Sequence, residues 1–247
     1  MALTALINRI LQEVTIVDTN HGSLTFHTPT WLPRYRANTI LAKEPETIAW
    51  IESFAPNSVF YDVGANVGIY SIYAAKAGNS KVVAFEPSAP NLEMLIRNIL
   101  KNKLQNLITV VPVGLSEKDS VTKMYFNLSQ FTWGGAHNSL GEGLNQKGLP
   151  MLDADSVQLV AMKLDSIINI FDLPRPNHIK IDVDGLESLV LLGAQETLKL
   201  VDSVMVEVDS ANHKSSISVP KLLEGAGLVL KEGFAENYLY VRKLGSN

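Results

Sequence analysis

The chain has 247 residues, 46% hydrophobic and 19% charged, enough for one α/β domain with a substantial core and no signature of disorder. A net charge of −4, with no run of Lys or Arg longer than two, argues against a nucleic-acid partner, which selects a basic face. The absence of cysteine excludes disulfides, Cys-ligated zinc and thiol catalysis, and it fits a cytoplasmic protein.

Residues 1–57 form a lead-in. Met1 to Asp18 carries an amphipathic pattern through Leu3, Leu6, Ile7, Ile10, Leu11 and Val14, which predicts a short helix packed on its own domain. The segment lacks the basic start and small-residue cleavage site of a signal peptide, and no apolar run approaches the length of a membrane span. A hairpin is expected from Thr15–Val17 and Ser23–His27, then a loop punctuated by Pro29 and Pro33. Glu44-Pro45-Glu46 opens a helix to about Phe54, with proline in the first turn and acid at the positive helix end.

From Val59 the pattern alternates. Strands are expected at 59–63, 81–86 and 108–113, with helices at 68–77 and 89–101 between them. Residues 116–158 break the rhythm with a strand at Val121–Asn127 and a Gly/Asn/Ser-rich stretch. The segment is too long for a bare loop and reads as an insertion over the cleft. Alternation resumes with strand 158–163, helix 165–171, strand 178–183, helix 186–200 and strand 203–208. A helix at 219–226 and an antiparallel hairpin of 228–232 and 238–243 close the chain. Repeated β-α-β units imply a doubly wound, mostly parallel sheet with helices on both faces, in a single domain over 1–247.

Val59-Phe-Tyr-Asp-Val-Gly-Ala-Asn-Val-Gly-Ile-Tyr70 reads as strand, glycine turn and helix. In open α/β sheets such a turn borders the ligand crevice. A dinucleotide site needs G-x-G-x-x-G, whose middle glycine lets the backbone touch a pyrophosphate. Here Ala65 and Asn66 stand between Gly64 and Gly68, which disfavours that ligand. S-adenosylmethionine has no phosphate, and Asp62 at the strand end suits its ammonium. Glu86, ending the next strand, suits a ribose diol in either ligand. Ser88 is placed to cap the helix that follows, and Asp184-x-x-Glu187 has the form of a capping box.

These residues resemble the FkbM-family S-adenosylmethionine-dependent methyltransferases. The matching pieces run in order from Glu44-Pro-Glu-Thr47 and Asp62-Val-Gly-Ala-Asn-Val-Gly68 to Phe85-Glu-Pro-Ser88 with Asn91 and Asn98. Then follow Gly114-Leu-Ser116, Lys163-Leu-Asp165, Lys180-Ile-Asp-Val-Asp-Gly-Leu-Glu187 and Val206-Glu207. The family's Asp-Val-Glu-Gly stands here as Asp182-Val-Asp184-Gly. The resemblance implies a Rossmann-like class I methyltransferase fold with a seven-stranded sheet. It also implies O-methylation of a small hydroxylated acceptor, often a sugar or natural-product intermediate.

On this reading the donor contacts are Asp62, Gly64, Asn66, Gly68, Glu86, Ser88, Ser116 and Asp182, with Gly114, Leu115 and Ser116 as the adenine wall. Asp182 is the expected proton acceptor, and His137 and His213 are further candidate bases on the same side of the sheet. Asn138, Asp184, Glu207 and Arg36, with Trp31 and Tyr35, are candidates for the acceptor pocket. Asp182, Asp184 and Glu207 offer the oxygen ligands of Mg²⁺ or Ca²⁺, a reading ranked below a metal-free one. The rival functions are a nicotinamide-dependent oxidoreductase and a donor-binding scaffold without catalysis.

Overall fold

A computed structural model describes residues 12–78, 80–127, 132–136, 138–152 and 154–243. The helix expected at the N-terminus falls mostly outside them, and so does His137. Strands β1 (Val14–Thr19) and β2 (Gly22–His27) pair in the register Val14 to His27 and Thr19 to Gly22, as the alternating pattern requires. The proline-punctuated loop expected next is instead helix α1 (Trp31–Lys43). Pro33 lies in its first turn, where the missing N–H would have had no intrahelical partner. Helix α2 (Pro45–Glu52) follows, with proline at its first position.

Five parallel strands form the centre of a seven-stranded sheet: β3 (Val59–Val63), β4 (Lys81–Phe85), β5 (Ile108–Val111), β10 (His178–Ile181) and β11 (Ser203–Glu207). The hairpin of β12 (Leu228–Phe234) and β13 (Asn237–Arg242) joins antiparallel to β11, which gives the order β12-β13-β11-β10-β3-β4-β5. Strand residues alternate between two apolar layers. Phe60, Val82 and Ala84 pack with the first hairpin, α1, α2, α3 (Ile69–Gly78) and α4 (Ala89–Lys101). Tyr61, Val63, Val83 and Phe85 pack with α5 (Leu164–Phe171), α6 (Glu187–Leu192), α7 (Gln195–Leu198) and α8 (His213–Gly225). No helix among the described residues is long and apolar enough to cross a membrane.

Three boundaries differ from the expected ones for identifiable reasons. The expected helix 186–200 is split into α6 and α7 at Gly193, where any Cβ would collide with the carbonyl oxygen of Ser116. Helix α8 begins six residues before the expected 219, because the Asn212 side chain accepts the Ser215 N–H and starts the helix there. The expected capping box is shifted: Glu187 Oε1 accepts the Gly185 N–H at 2.8 Å rather than that of Asp184, and the cap residue of α6 is Leu186.

The segment between β5 and α5 builds a second sheet of four strands, β6 (Gly114–Leu115), β9 (Ala154–Met162), β7 (Ser120–Asn127) and β8 (Ser139–Leu140), in that spatial order. The strand expected at 158–163 is the end of β9 and belongs here, parallel to β6, rather than to the main sheet. Met124, Phe126, Leu140 and Ala161 give this sheet its own small core.

Candidate active site

The turn after β3 is shaped by backbone needs. Gly64, Asn66 and Gly68 all have positive φ, of 85°, 53° and 83°. The N–H groups of Gly64 and Ala65 both donate to the Phe85 carbonyl at 3.0 Å, which folds the turn over the end of β4. A Cβ at Gly64 would overlap the carbonyl oxygen of Asp182, and one at Gly68 would overlap Leu95 of α4. The two glycines therefore let β10 and α4 close against the turn.

A cavity of about 280 Å³ opens above the carboxyl ends of β3, β4, β10 and β11. Gly64 and Asn66 contribute to its floor, and Glu86 comes from the end of β4. Gly114 and Leu115 form one wall, and Asp182, Asp184 and Glu207 another. Gly135, Ala136, Asn138 and Ser139 reach it from the β7–β8 connection and β8, and Arg36 and Lys43 reach it from α1.

Glu86 is 5% exposed, and its two oxygens each accept one backbone N–H at 2.8 Å, from Asn66 and from Ser88. Each oxygen keeps acceptor capacity, so the carboxylate can also receive two hydroxyls of a diol. Burial pushes its carboxyl up to about 7, although the two N–H groups pull it down.

The Gly134–Gly135 stretch is held by four hydrogen bonds, from the turn, α4 and α1. Asn91 accepts the Gly134 N–H and donates to the Gly135 carbonyl, both at 2.9 Å. Asn66 Nδ2 donates to the same Gly135 carbonyl at 2.9 Å, and Arg36 Nε donates to the Gly134 carbonyl at 2.8 Å.

A charge cluster underlies the opposite wall. Lys180, 1% exposed, donates to Asp182 Oδ2 at 2.8 Å, lies 3.9 Å from Glu44 Oε2, and sits 4.9 Å from the centre of the Tyr70 ring. Burial opposes its charge, but Asp182 and Glu44 outweigh that and raise its pKa well above the ordinary lysine value. Asp182 also shares a hydrogen bond with Glu207. The Asp182 charge, with burial, pushes Glu207 well above the usual carboxylate range, so Glu207 is the member of the pair inclined to hold a proton. Burial raises Asp182, yet Lys180 and the hydrogen bonds from Glu207 and Lys180 outweigh it and hold Asp182 far below the usual carboxylate range. Lys43 closes the cluster by donating to Glu44 Oε1 at 2.9 Å.

Glu44, Asp182 and Glu207 bring one oxygen each within 4.8 Å of one another, so Glu44 takes the place that the sequence reading gave to Asp184 in a cation site. The Lys180 ammonium already supplies positive charge to that trio.

Several expected residues lie elsewhere. Asp62 does not line the cavity; it is 2% exposed and accepts a 2.6 Å hydrogen bond from Ser71 Oγ. Ser88 is buried behind Glu86 and makes no side-chain cap, and Ser116 is spent on a backbone bond to Met162. His213 is exposed at the start of α8 and off the cavity, as are the exposed Trp31 and Tyr35. Asn138 and Ser139 do line it, and their buried Oδ1 and Oγ have no partner among the described residues. Glu44, Lys43 and Asn91 are the participants whose placement the sequence reading missed. The one signal was Glu44-Pro, which ends one helix and starts the next and so turns the Glu44 side chain inward.

Comparison with known proteins places this architecture. The chain is 27% identical to hexuronic acid methyltransferase AglP of Haloferax volcanii over 72% of its own length and 66% of that protein's. It is 28% identical to methyltransferase sdnD of Sordaria araneosa over 64% and 68%. The chain thus spans about two thirds of the length of these relatives. Among solved structures, a precorrin-6y C5,15-methyltransferase from Geobacter metallireducens superimposes with a TM-score of 0.50 and 13% identity, over 81% of this chain and 87% of that one. This likeness marks the fold as the Rossmann-like class I methyltransferase fold. Residues 62–241, from the glycine turn to the last strand, match the methyltransferase FkbM domain, and the chain belongs to that family.

Proposed function

We propose that the protein transfers a methyl group from S-adenosylmethionine to a hydroxyl of a small molecule, with sugars and sugar acids the first acceptors to test. The observation that carries this reading is Glu86. It is a buried carboxylate at the end of the second parallel strand, fixed by two N–H groups and with capacity left for a ribose diol. The glycine turn beside it has no middle glycine for a pyrophosphate, and the family match favours methyl transfer over a nicotinamide-dependent reaction. The name of AglP motivates the acceptor class.

Bound in this cavity, S-adenosylmethionine supplies an electrophilic methyl group on a sulfonium. Asp182, held charged by Lys180, and Asp184 give the space negative potential, which suits a cationic donor. Asp182, locked by Lys180 and Glu207, orients the acceptor hydroxyl and takes its proton. A weakly basic carboxylate suffices, because an alcohol oxygen becomes strongly acidic as it gains the methyl group. The hydrogen bond from Glu207, with Lys180, favours the charged form of Asp182. Asn138 and Ser139 offer their unpaired oxygens to the acceptor's other polar groups. The Gly134–Gly135 stretch excludes water from one side, which supports alignment of the reacting atoms.

Calorimetry with S-adenosylhomocysteine tests the donor. Saturable binding, lost in Glu86→Ala, is expected; absence of binding by the wild type would overturn the proposal. Transfer of radiolabelled methyl groups into uronic acids and other hydroxylated small molecules tests the acceptor.

A further inference from the structure

The donor of the proposed reaction is a zwitterion in its amino-acid part, and only its positive groups are suited by the acidic cavity wall. Its carboxylate needs a cation away from Asp182, Asp184, Glu207 and Glu86. Two cationic side chains line the cavity among the described residues, Arg36 and Lys43. Lys43 is already bonded to Glu44 at 2.9 Å. Arg36 is fixed only through Nε, which donates to the Gly134 carbonyl, and its two Nη groups have no partner among the described residues.

Its placement is specific. Arg36 projects from α1 across the turn, while the four acids sit at the ends of β4, β10 and β11 or just beyond them. The next carbonyl after its anchor, that of Gly135, binds Asn66, whose own N–H binds Glu86. Three hydrogen bonds, through Gly134–Gly135 and Asn66, therefore connect the guanidinium to the carboxylate assigned to the ribose. An arginine held by Nε presents both Nη groups as a fork, which matches a carboxylate in two parallel hydrogen bonds.

We infer that Arg36 is the carboxylate clamp for the amino-acid end of the donor, rather than an acceptor-binding residue. This rests on the donor assignment above and adds the orientation of the bound molecule: ribose at Glu86, sulfonium toward Asp182, carboxylate beneath α1.

The test compares two ligands that differ only in the carboxylate, S-adenosylhomocysteine and its decarboxylated analogue, by calorimetry on the wild type and on Arg36→Gln. The glutamine keeps a donor for Gly134 and loses the charge. The wild type should bind S-adenosylhomocysteine roughly 10- to 100-fold more tightly than the analogue, as expected for a charged pair of hydrogen bonds. Arg36→Gln should remove most of that preference and leave the analogue's affinity within about twofold. Equal binding of both ligands by the wild type would overturn the inference, whatever the variant does. Equal weakening of both ligands in Arg36→Gln would also overturn it, by assigning the residue to Gly134 alone. Failure of the wild type to bind either ligand would instead overturn the donor assignment itself.

Discussion

Gly64 and the carbonyl of Asp182 lie so close that no Cβ fits between them. The glycine turn and the acidic strand end are thus built as one unit, and the φ of +85° at Gly64 is itself costly for any other residue. Gly64→Ala must both adopt that backbone and displace Asp182. The expected loss is about 3 kcal/mol in urea unfolding. Binding of S-adenosylhomocysteine should fall with it, because the displaced Asp182 belongs to the same cavity.

Glu86 ties stability to pH in a definite direction. Its folded carboxyl titrates at about 7, above the 4.5 of an unperturbed glutamate. The folded protein therefore keeps a proton that the unfolded chain releases between about pH 4.5 and 7, and stability from this group falls as pH rises across that window. Glu86→Leu removes the effect. Relative to wild type, the variant should gain on the order of 3 kcal/mol between pH 4.5 and 7.5 in denaturant titrations. Donor affinity runs the opposite way. A carboxylate that must accept two hydroxyls has to be ionised, so wild-type affinity for S-adenosylhomocysteine should drop as pH is lowered through 7. A flat affinity between pH 5.5 and 8 would remove Glu86 from the ribose contact.

Asn91 is the principal tie on the Gly134–Gly135 stretch. It is 2% exposed, and both ends of its amide are used. Asn91→Ala leaves the Gly134 N–H without that partner and should cost about 2 kcal/mol. Hydrogen exchange at Gly134 and Gly135 should accelerate far more than exchange in β3 or β4. Uniform acceleration across the sheet would mean that the stretch is not a separate opening unit.

The parallel strands were legible because their apolar runs end in glycine or acid at regular intervals, and β3, β4, β10 and β11 keep nearly their expected bounds. The placement of Glu86 and Asp182 at the cavity was legible for the same reason, since a strand end is a position in sequence as well as in space. Helix α1 was hidden by Pro29 and Pro33, although a proline in a first turn costs little. Gly193, where the helix breaks, packs against a carbonyl 77 residues earlier that leaves no room for a side chain, a contact no local pattern carries. Asp62, read as a donor contact by its position at a strand end, is buried and bonded to Ser71, nine residues on. Glu44 was read as a helix start and as part of the family match but not as a cavity-side charge, because its partner Lys180 is joined to it by tertiary packing alone.

The Asp182–Glu207 pair separates charge from shape. The Asp182 charge raises Glu207, the member of the pair inclined to hold a proton, and Glu207→Gln puts a neutral hydrogen-bond donor in its place. Asp182→Asn, by contrast, removes the group proposed to take the acceptor's proton while keeping an oxygen for Lys180. The expected pattern is a fall in turnover of roughly 100-fold or more for Asp182→Asn, with S-adenosylhomocysteine affinity nearly unchanged. Glu207→Gln should keep turnover within about tenfold of wild type. Steady-state rates with the acceptor found by methyl transfer, beside calorimetric affinities, make the comparison. If Glu207→Gln loses as much turnover as Asp182→Asn, the proton-accepting role belongs to Glu207 or to the pair as a whole. Asp182 would then serve to fix Lys180 and the turn at Gly64.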